Sequence, residues 1–238
     1  RFDNVTGVQT CALPICEYPD TASPKSPLVF VSHPRLDRDA VAEFDLRPLY
    51  VIIAKSLFLG ECYNDTMPEI TLLVHNIRST YNVGAIMRTA EGFGVKQIVF
   101  SGYTPYPDLR LGNPQAIDPR LPHLTEKLTT QIHKTALGAE TMLPFTYIAD
   151  IRQWLAENAD TKRLSVVALE QSASSVRLDV FQSPARFALL LGEEVHGIES
   201  DILAQCDHSI EIPMQGAKES FNVSVAAGIA LYGLCFSH

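Results

Sequence analysis

The chain has only five cysteines in 238 residues, Cys11, Cys16, Cys62, Cys206 and Cys235, and no two of them form a CxxC pair. None has a histidine partner at a zinc spacing, so no metal site is expected. Their odd number and wide scatter suit a reducing cytosol better than a disulfide framework. Charge is also sparse, at 19% of residues, and the formal net charge of −8 leaves no cationic surplus. That balance argues against a protein that coats itself in nucleic acid. An RNA-binding chain of this composition must gather its few cations locally or borrow those of a second subunit. No apolar run reaches the roughly 20 residues that a spanning helix needs, because Arg47, Pro48 and Lys55 interrupt Leu46 to Leu59. No secretory signal is apparent, and a cytoplasmic protein without membrane association is expected. A G-x-G-x-x-G after the first strand and a G-x-x-x-x-G-K-[ST] are both missing, which counts against a Rossmann-type nucleotide enzyme.

What is present is a 46% hydrophobic content typical of a globular chain, long enough for one substantial domain with an extension. Residues 1–16 contain VTGVQTCALPI, which resembles a sequencing-library adapter read as protein. They are expected to be non-native or disordered. Residues 17–67 read as a linker and N-terminal extension of unknown role. Their first part is punctuated by proline, and Leu36 to Leu59 could form one or two short helices bounded at Pro48.

From residue 68 the texture changes. Ile70 to His75 is a short run suited to a buried strand. Asn82 can cap a helix that packs Val83, Ile86, Met87 and Ala90, and Gly92 and Gly94 end it. Gln97 to Phe100 begins the next strand, giving a βαβ unit and a parallel sheet. Ser101 to Thr130 reads as a long structureless insertion with five prolines. In it Tyr103 and Tyr106 could stack on bases, and Arg110, Arg120 and Lys127 could meet phosphates, though a merely mobile loop fits equally. His133 to Met142 reads as a short helix. Phe145 to Ala149, Ser165 to Leu169 and Arg186 to Leu191 read as strands, with a helix around Ile151 to Asn158. Glu170 follows one of these strands at its C-terminal end, where open α/β sheets bind ligands. Gln171 to Arg177 reads as surface loop. Last come a strand at His208 to Ile212, stopped by Pro213, a turn at Gly216, and an apolar helix from Val223 that Ser220 or Asn222 can cap.

Three stretches then carry a resemblance. NIRSTYNVGAIMRTA from Asn76, GEEVHG from Gly192, and IPMQGAKESFNVSVAAGIALY from Ile212 resemble, in order, the three signature motifs of the SpoU (TrmH-like) family of SPOUT RNA methyltransferases. The family pattern has leucine where Phe221 stands. The resemblance covers Ile70 to about Phe236, placing a methyltransferase domain at 68–238. It implies a parallel-stranded α/β sheet flanked by helices, with a C-terminal trefoil knot. It also implies S-adenosyl-L-methionine as cofactor and transfer of its methyl to a ribose 2′-hydroxyl of tRNA or rRNA. Family members are generally homodimers, with Arg88 serving the neighbour's cofactor site.

Carried onto this chain, the resemblance makes Arg88, Asn76, Glu194, Ser220 and Asn222 the catalytic candidates. Arg88 would prepare the ribose hydroxyl, because a guanidinium can fix a neighbouring phosphate and stabilise developing oxyanion charge. Asn76 would orient the substrate or the arginine. Glu194 would order its loop or balance nearby positive charge, unless it only caps a helix over Ile198 to Gln205. Leu169, Gly192, Ile212, Met214 and Phe221 would hold the cofactor, largely through main-chain groups. Gly192 admits close backbone approach. Arg78, Arg110 and Arg120 are the RNA-binding candidates. The alternative is a catalytically inactive RNA-binding protein on the same fold, against which the intact Arg88, Glu194, Ser220 and Asn222 argue.

Overall fold

The computed structural model describes residues 67–161, 163–194 and 196–236. The expectations for residues 1–16, for the extension at 17–66 and for the helices around Pro48 lie outside these.

ITLLVH, SVVAL and RFALLL are continuous apolar runs, and only a sheet covered on both faces can bury such runs. They form β1 (Glu69–His75), β4 (Ser165–Leu169) and β6 (Arg186–Leu191). With β2 (Gln97–Ser101), β3 (Phe145–Ile148), β5 (Val176–Arg177) and β7 (His208–Glu211) they build one seven-stranded sheet. Its order is β3-β2-β1-β6-β4-β7-β5, and every neighbouring pair is parallel. The parallel α/β architecture expected from the sequence is therefore present. β5 is a correction, since Val176 and Arg177 add an edge strand where a loop was expected.

Alternation along each strand divides the core in two. Leu72, Val74, Leu189 and Leu191 meet α1 (Thr80–Gly92), α3 (Pro122–Ala136) and α6 (Val223–Phe236) on one face. Leu73, Ala168 and Leu190 meet α4 (Ile151–Thr161) and α5 (Ser200–Leu203) on the other. α1 buries Val83, Ile86, Met87 and Ala90, as its spacing predicts. Its cap differs from the expectation: Ser79 Oγ accepts from the Asn82 amide at 3.2 Å, so the helix starts one turn earlier. Asn82 then lies inside the first turn with its side chain free for another task. α5 is likewise only four residues, shorter than the helix expected over Ile198 to Gln205. α6 is capped by Asn222, whose Oδ1 accepts from the Ser224 amide at 2.9 Å. Its burial is one-sided: Ala227, Ala230, Leu231 and Leu234 are buried, but Val225 and Tyr232 are 50% and 62% exposed. Gly216 has no positive φ, so no left-handed turn forms there.

The segment after β2 departs most from its sequence reading. α2 (Leu109–Gly112) and the fifteen-residue α3 occupy much of what reads as structureless, and His133 belongs to the last turn of α3. A 3₁₀ turn at Ala139–Thr141 follows, so no separate helix spans His133 to Met142. Tyr106 is buried and stacks on Tyr147 at 4.3 Å between ring centroids. Arg120 lies 3.6 Å over the Tyr106 ring. It donates to the Tyr106 and Pro107 carbonyls at 2.7 and 2.8 Å and pairs with Asp118. Expected to reach RNA, Arg120 instead ties down a turn, with only 16% of its side chain exposed. Arg110 pairs with Asp108 at the start of α2 and remains largely exposed.

The Arg120 guanidinium holds the Asp118 carboxyl down to about 2, from its ordinary 3.8. Because the folded value is depressed, this stabilisation is complete above the unfolded value near 4 and is lost as pH falls through about 2. Arg120→Ala strands a shielded carboxylate and is expected to lower stability by about 3 kcal/mol at pH 7. Urea titrations of both proteins should show that gap closing between pH 4 and 2. A gap that does not depend on pH would mean that ring packing, not the ion pair, supplies the stabilisation.

Candidate active site

Parallel register brings the ends of four strands into line. Val74 pairs with Leu191, Leu191 with Leu169, and Leu169 with Ile210. The next residue on each strand therefore stands at the same edge: His75, Gly192, Glu170 and Glu211. This C-terminal edge is where parallel sheets present ligand sites, and the chain's direction of growth reverses between β1 and β6. A cleft of about 310 Å³ opens there, lined by residues following β4, β6 and β7 and by the start of α6. Five expected site residues share its wall with Glu194: Leu169, Gly192, Ile212, Ser220 and Phe221.

The loop after β6 is shaped from beneath. Glu170 Oε2 accepts from the Ile198 amide at 2.8 Å, and Oε1 accepts from Gln171. Gly197 takes φ +70°, and a Cβ there would lie 2.4 Å from Glu170 Oε2. A Cβ on Gly192 would lie 2.5 Å from Ile198 Cγ1 and 2.9 Å from the Gly197 carbonyl carbon. Gly192 thus serves the loop's own packing as well as standing in the cleft wall. Ordering of this loop, expected of Glu194, is shared with Glu170. Glu194 reaches the other way, accepting from Asn82 Nδ2 at 3.0 Å and the Arg78 amide at 3.4 Å. It joins its loop to the first turn of α1 and does not cap α5. Asn222 Nδ2 extends the chain of contacts to Asn82 Oδ1 at 3.2 Å, so residues of all three motifs meet at Asn82.

Asn76 sits at the β1 end with φ +57°. Its Oδ1 accepts from the Tyr103 amide, and its Nδ2 contacts His75 Nε2 and Glu199 Oε1 at 3.0 and 3.2 Å. Asn76 therefore orders the neighbouring loops and does not line the cleft. Burial lowers the pKa of His75 against the opposing pull of Glu199. The His75 Nδ1 lies 2.9 Å from Ser101 Oγ, and its Nε2 lies 3.0 Å from Asn76 Nδ2 and 3.3 Å from Glu199 Oε2. Met214 is half-buried beyond the cleft wall. Arg88 is exposed and makes no hydrogen bond or ion pair among the described residues. It lies about 9 Å further along α1 than Asn82, at 1.5 Å per residue, and is absent from the wall.

Sequence reading missed the charge of the cleft. Glu170, Glu193, Glu194, Glu211 and Glu219 all line it, with His196 as the only basic side chain among the described residues. The doublet Glu193–Glu194 and the strand-end positions of Glu170 and Glu211 were the available signals. A ligand bearing positive charge suits this wall, and a pyrophosphate does not. S-adenosylmethionine, with its sulfonium and ammonium, passes this test of fit, and a dinucleotide fails it.

Comparison with known proteins agrees with this geometry. Residues 120–232 match the model of the SpoU rRNA Methylase family. The 23S rRNA (guanosine-2′-O-)-methyltransferase RlmB of Nitrosomonas europaea is 30% identical over 167 residues, covering 70% of this chain and 56% of that protein. The chain thus spans little more than half the length of that relative. An AdoMet-bound rRNA methyltransferase from Sinorhizobium meliloti superposes with TM-score 0.55 at 21% identity, covering 73% of this chain and 60% of the other. The A. aeolicus TrmH/SpoU tRNA modifying enzyme gives 0.55 at 23% identity, covering 79% and 82%. Sheet order, the cleft where the second and third motifs converge, and these matches agree: residues 120–232 match the SpoU rRNA Methylase family model, and the chain is similar to methyltransferases of that kind.

Proposed function

We propose that this protein is an S-adenosylmethionine-dependent RNA methyltransferase acting on a ribose 2′-hydroxyl. The observation that carries this reading is the carboxylate-lined cleft at the strand ends, bordered by residues of two motifs, in a chain similar to this family. When bound, S-adenosylmethionine supplies a methyl group made electrophilic by its sulfonium. In this reading Leu169, Gly192 and Ile212 offer main-chain groups at the strand ends, while Phe221 and Ser220 cover the cleft from the α6 side. The surrounding carboxylates favour the cationic end of the ligand. Glu170 keeps the loop after β6 in the shape that makes the cleft.

Arg88 is the group we assign to the nucleophile, holding the adjoining phosphate and the oxyanion that develops as the hydroxyl loses its proton. It stands away from the cleft of its own chain, so this assignment carries a second copy with it. The exposed Val225 and Tyr232 on α6 support a homodimer, since side chains of that size gain by being covered. A knotted path through the loops of the second and third motifs, residues 68–238 as the catalytic unit, and tRNA or rRNA as substrate belong to the same proposal. Arg78 is retained as an RNA contact and Arg120 is not.

Calorimetry on the full chain should give saturable S-adenosylmethionine binding near one per subunit, with NAD as a silent control. Gly192→Ala forces its loop to shift and is expected to weaken that binding about tenfold, from overpacking of at least about 1 kcal/mol. Arg88→Ala should keep cofactor affinity within about threefold but lower methyl transfer about 100-fold or more. Transfer is read with labelled cofactor and mixed tRNA and rRNA, followed by alkaline hydrolysis. A 2′-O-methyl leaves alkali-resistant dinucleotides, and label recovered only in mononucleotides would refute ribose as the target. Full transfer by Arg88→Ala would remove that residue from the mechanism.

A further inference from the structure

Beside the acidic cleft runs a second, open groove of about 700 Å³ at the ends of β1 and β2, and its chemistry is the reverse. No carboxylate lines it. Tyr81 and Tyr103 stand in it 54% and 50% exposed, an unusual display of ring surface in a chain with only 8% aromatic residues. The Arg78 guanidinium lies 5.6 Å from the centroid of the Tyr103 ring. Gln131 adds an amide to the same wall.

The Tyr103 platform is fixed from behind. Its amide donates to Asn76 Oδ1 at 3.2 Å, and Tyr147 Oη donates to the Gly102 carbonyl at 2.9 Å. Gly102 takes φ +63°, and a Cβ there would lie 1.9 Å from Asn76 Oδ1. The ring is therefore presented by a backbone that cannot easily retreat, without being buried itself. Arg78 joins the two compartments. Its Nη2 lies 2.5 Å from Glu193, on the wall of the acidic cleft, yet 63% of its side chain is exposed. The guanidinium thus contacts both Glu193 and the Tyr103 side chain, and its solvent-facing N–H groups are available to a phosphate.

We propose that this groove is the subsite for an unstacked base of single-stranded RNA, with Tyr103 and Tyr81 as stacking surfaces and Arg78 as the phosphate contact. The proposal rests on the methyltransferase reading and adds to it which surface receives the nucleotide. Rings with exposed faces accept any base, because every base has a π-face. A flanking guanidinium adds attraction for the backbone. The groove's wall carries no carboxylate, and Glu193 at its border is paired with Arg78 and His196, so RNA meets less repulsion here than in the neighbouring cleft. A base seated in the groove directs the adjoining ribose toward the cleft wall at Glu193.

The test uses the full chain with S-adenosylmethionine and a single-stranded ten-nucleotide RNA bearing a central 2-aminopurine, whose fluorescence falls on stacking. Quenching should saturate with wild-type protein. Tyr103→Ala should weaken binding about tenfold or more, and Tyr81→Ala should also weaken it, given the usual worth of one base–aromatic stack. Tyr103→Phe should bind clearly better than Tyr103→Ala, since the stacking ring remains although the hydroxyl's contact with Arg78 and Glu193 is lost. Cofactor affinity, measured calorimetrically on each variant, should not change, which also reports that each is folded. Cofactor binding by the wild type without probe quenching would overturn the subsite and leave the methyltransferase reading standing. Equal probe binding by wild type and Tyr103→Ala would overturn it too. Failure of the wild type to bind cofactor would strike the underlying reading itself, and the subsite with it.

Discussion

The constraint on which the rest depends is parallel register across the centre of the sheet. Val74, Leu191, Leu169 and Ile210 stand in one row. Whatever follows them must therefore emerge on one side of the molecule. Three loops that are distant in sequence become neighbours without any contact chosen for the purpose. The polar bonds among them, from Glu170 to Ile198, Glu194 to Asn82 and Asn222 to Asn82, refine a juxtaposition that strand pairing has already made. Loss of one bond would loosen a loop. A slip of one residue in β6 would turn its core face to the wrong side and dismantle the site.

The two compartments at this edge divide the electrostatic labour. Cations are scarce in the sequence, and a cleft meant for a positively charged ligand needs none. Five carboxylates gather there, and in the proposed reading the phosphate-facing work falls to the aromatic groove beside them. An acidic protein can in this way handle a polyanion, provided the polyanion meets rings and a few placed guanidinium groups first. Arg78 stands at the boundary, bound to an acid on one side and beside a ring on the other.

Much of this was legible in the sequence, and what was not has identifiable causes. β1, β4 and β6 were readable because a strand buried on both faces must be apolar throughout. The packed face of α1 was readable because 3.6-residue spacing leaves a mark. The α1 cap was misread because Ser79 and Asn82 are both good caps, and only the backbone conformation at Ser79 decides between them. Arg120 was misread because an arginine's partners are set by folding: its ring and carbonyl partners come from residues 106 and 107, and composition cannot say that they will lie beneath it. The loop-holding bonds of Glu170 and Glu194 were unreadable for the same reason. Each lies at the end of a strand, and only the path of the loops decides which amides it meets.

The position of β6 also bears on the order in which the molecule can form. β1 and β2 can pair as soon as α1 has been made, but the other edge of β1 waits for Arg186 to Leu191. At ordinary rates of synthesis that interval is on the order of ten seconds. Throughout it, a strand whose interior residues are all destined for the core presents an unpaired edge to its surroundings. The arrangement that later aligns the site therefore begins as an exposure to aggregation, and contacts so distant in sequence also slow the closing of the sheet.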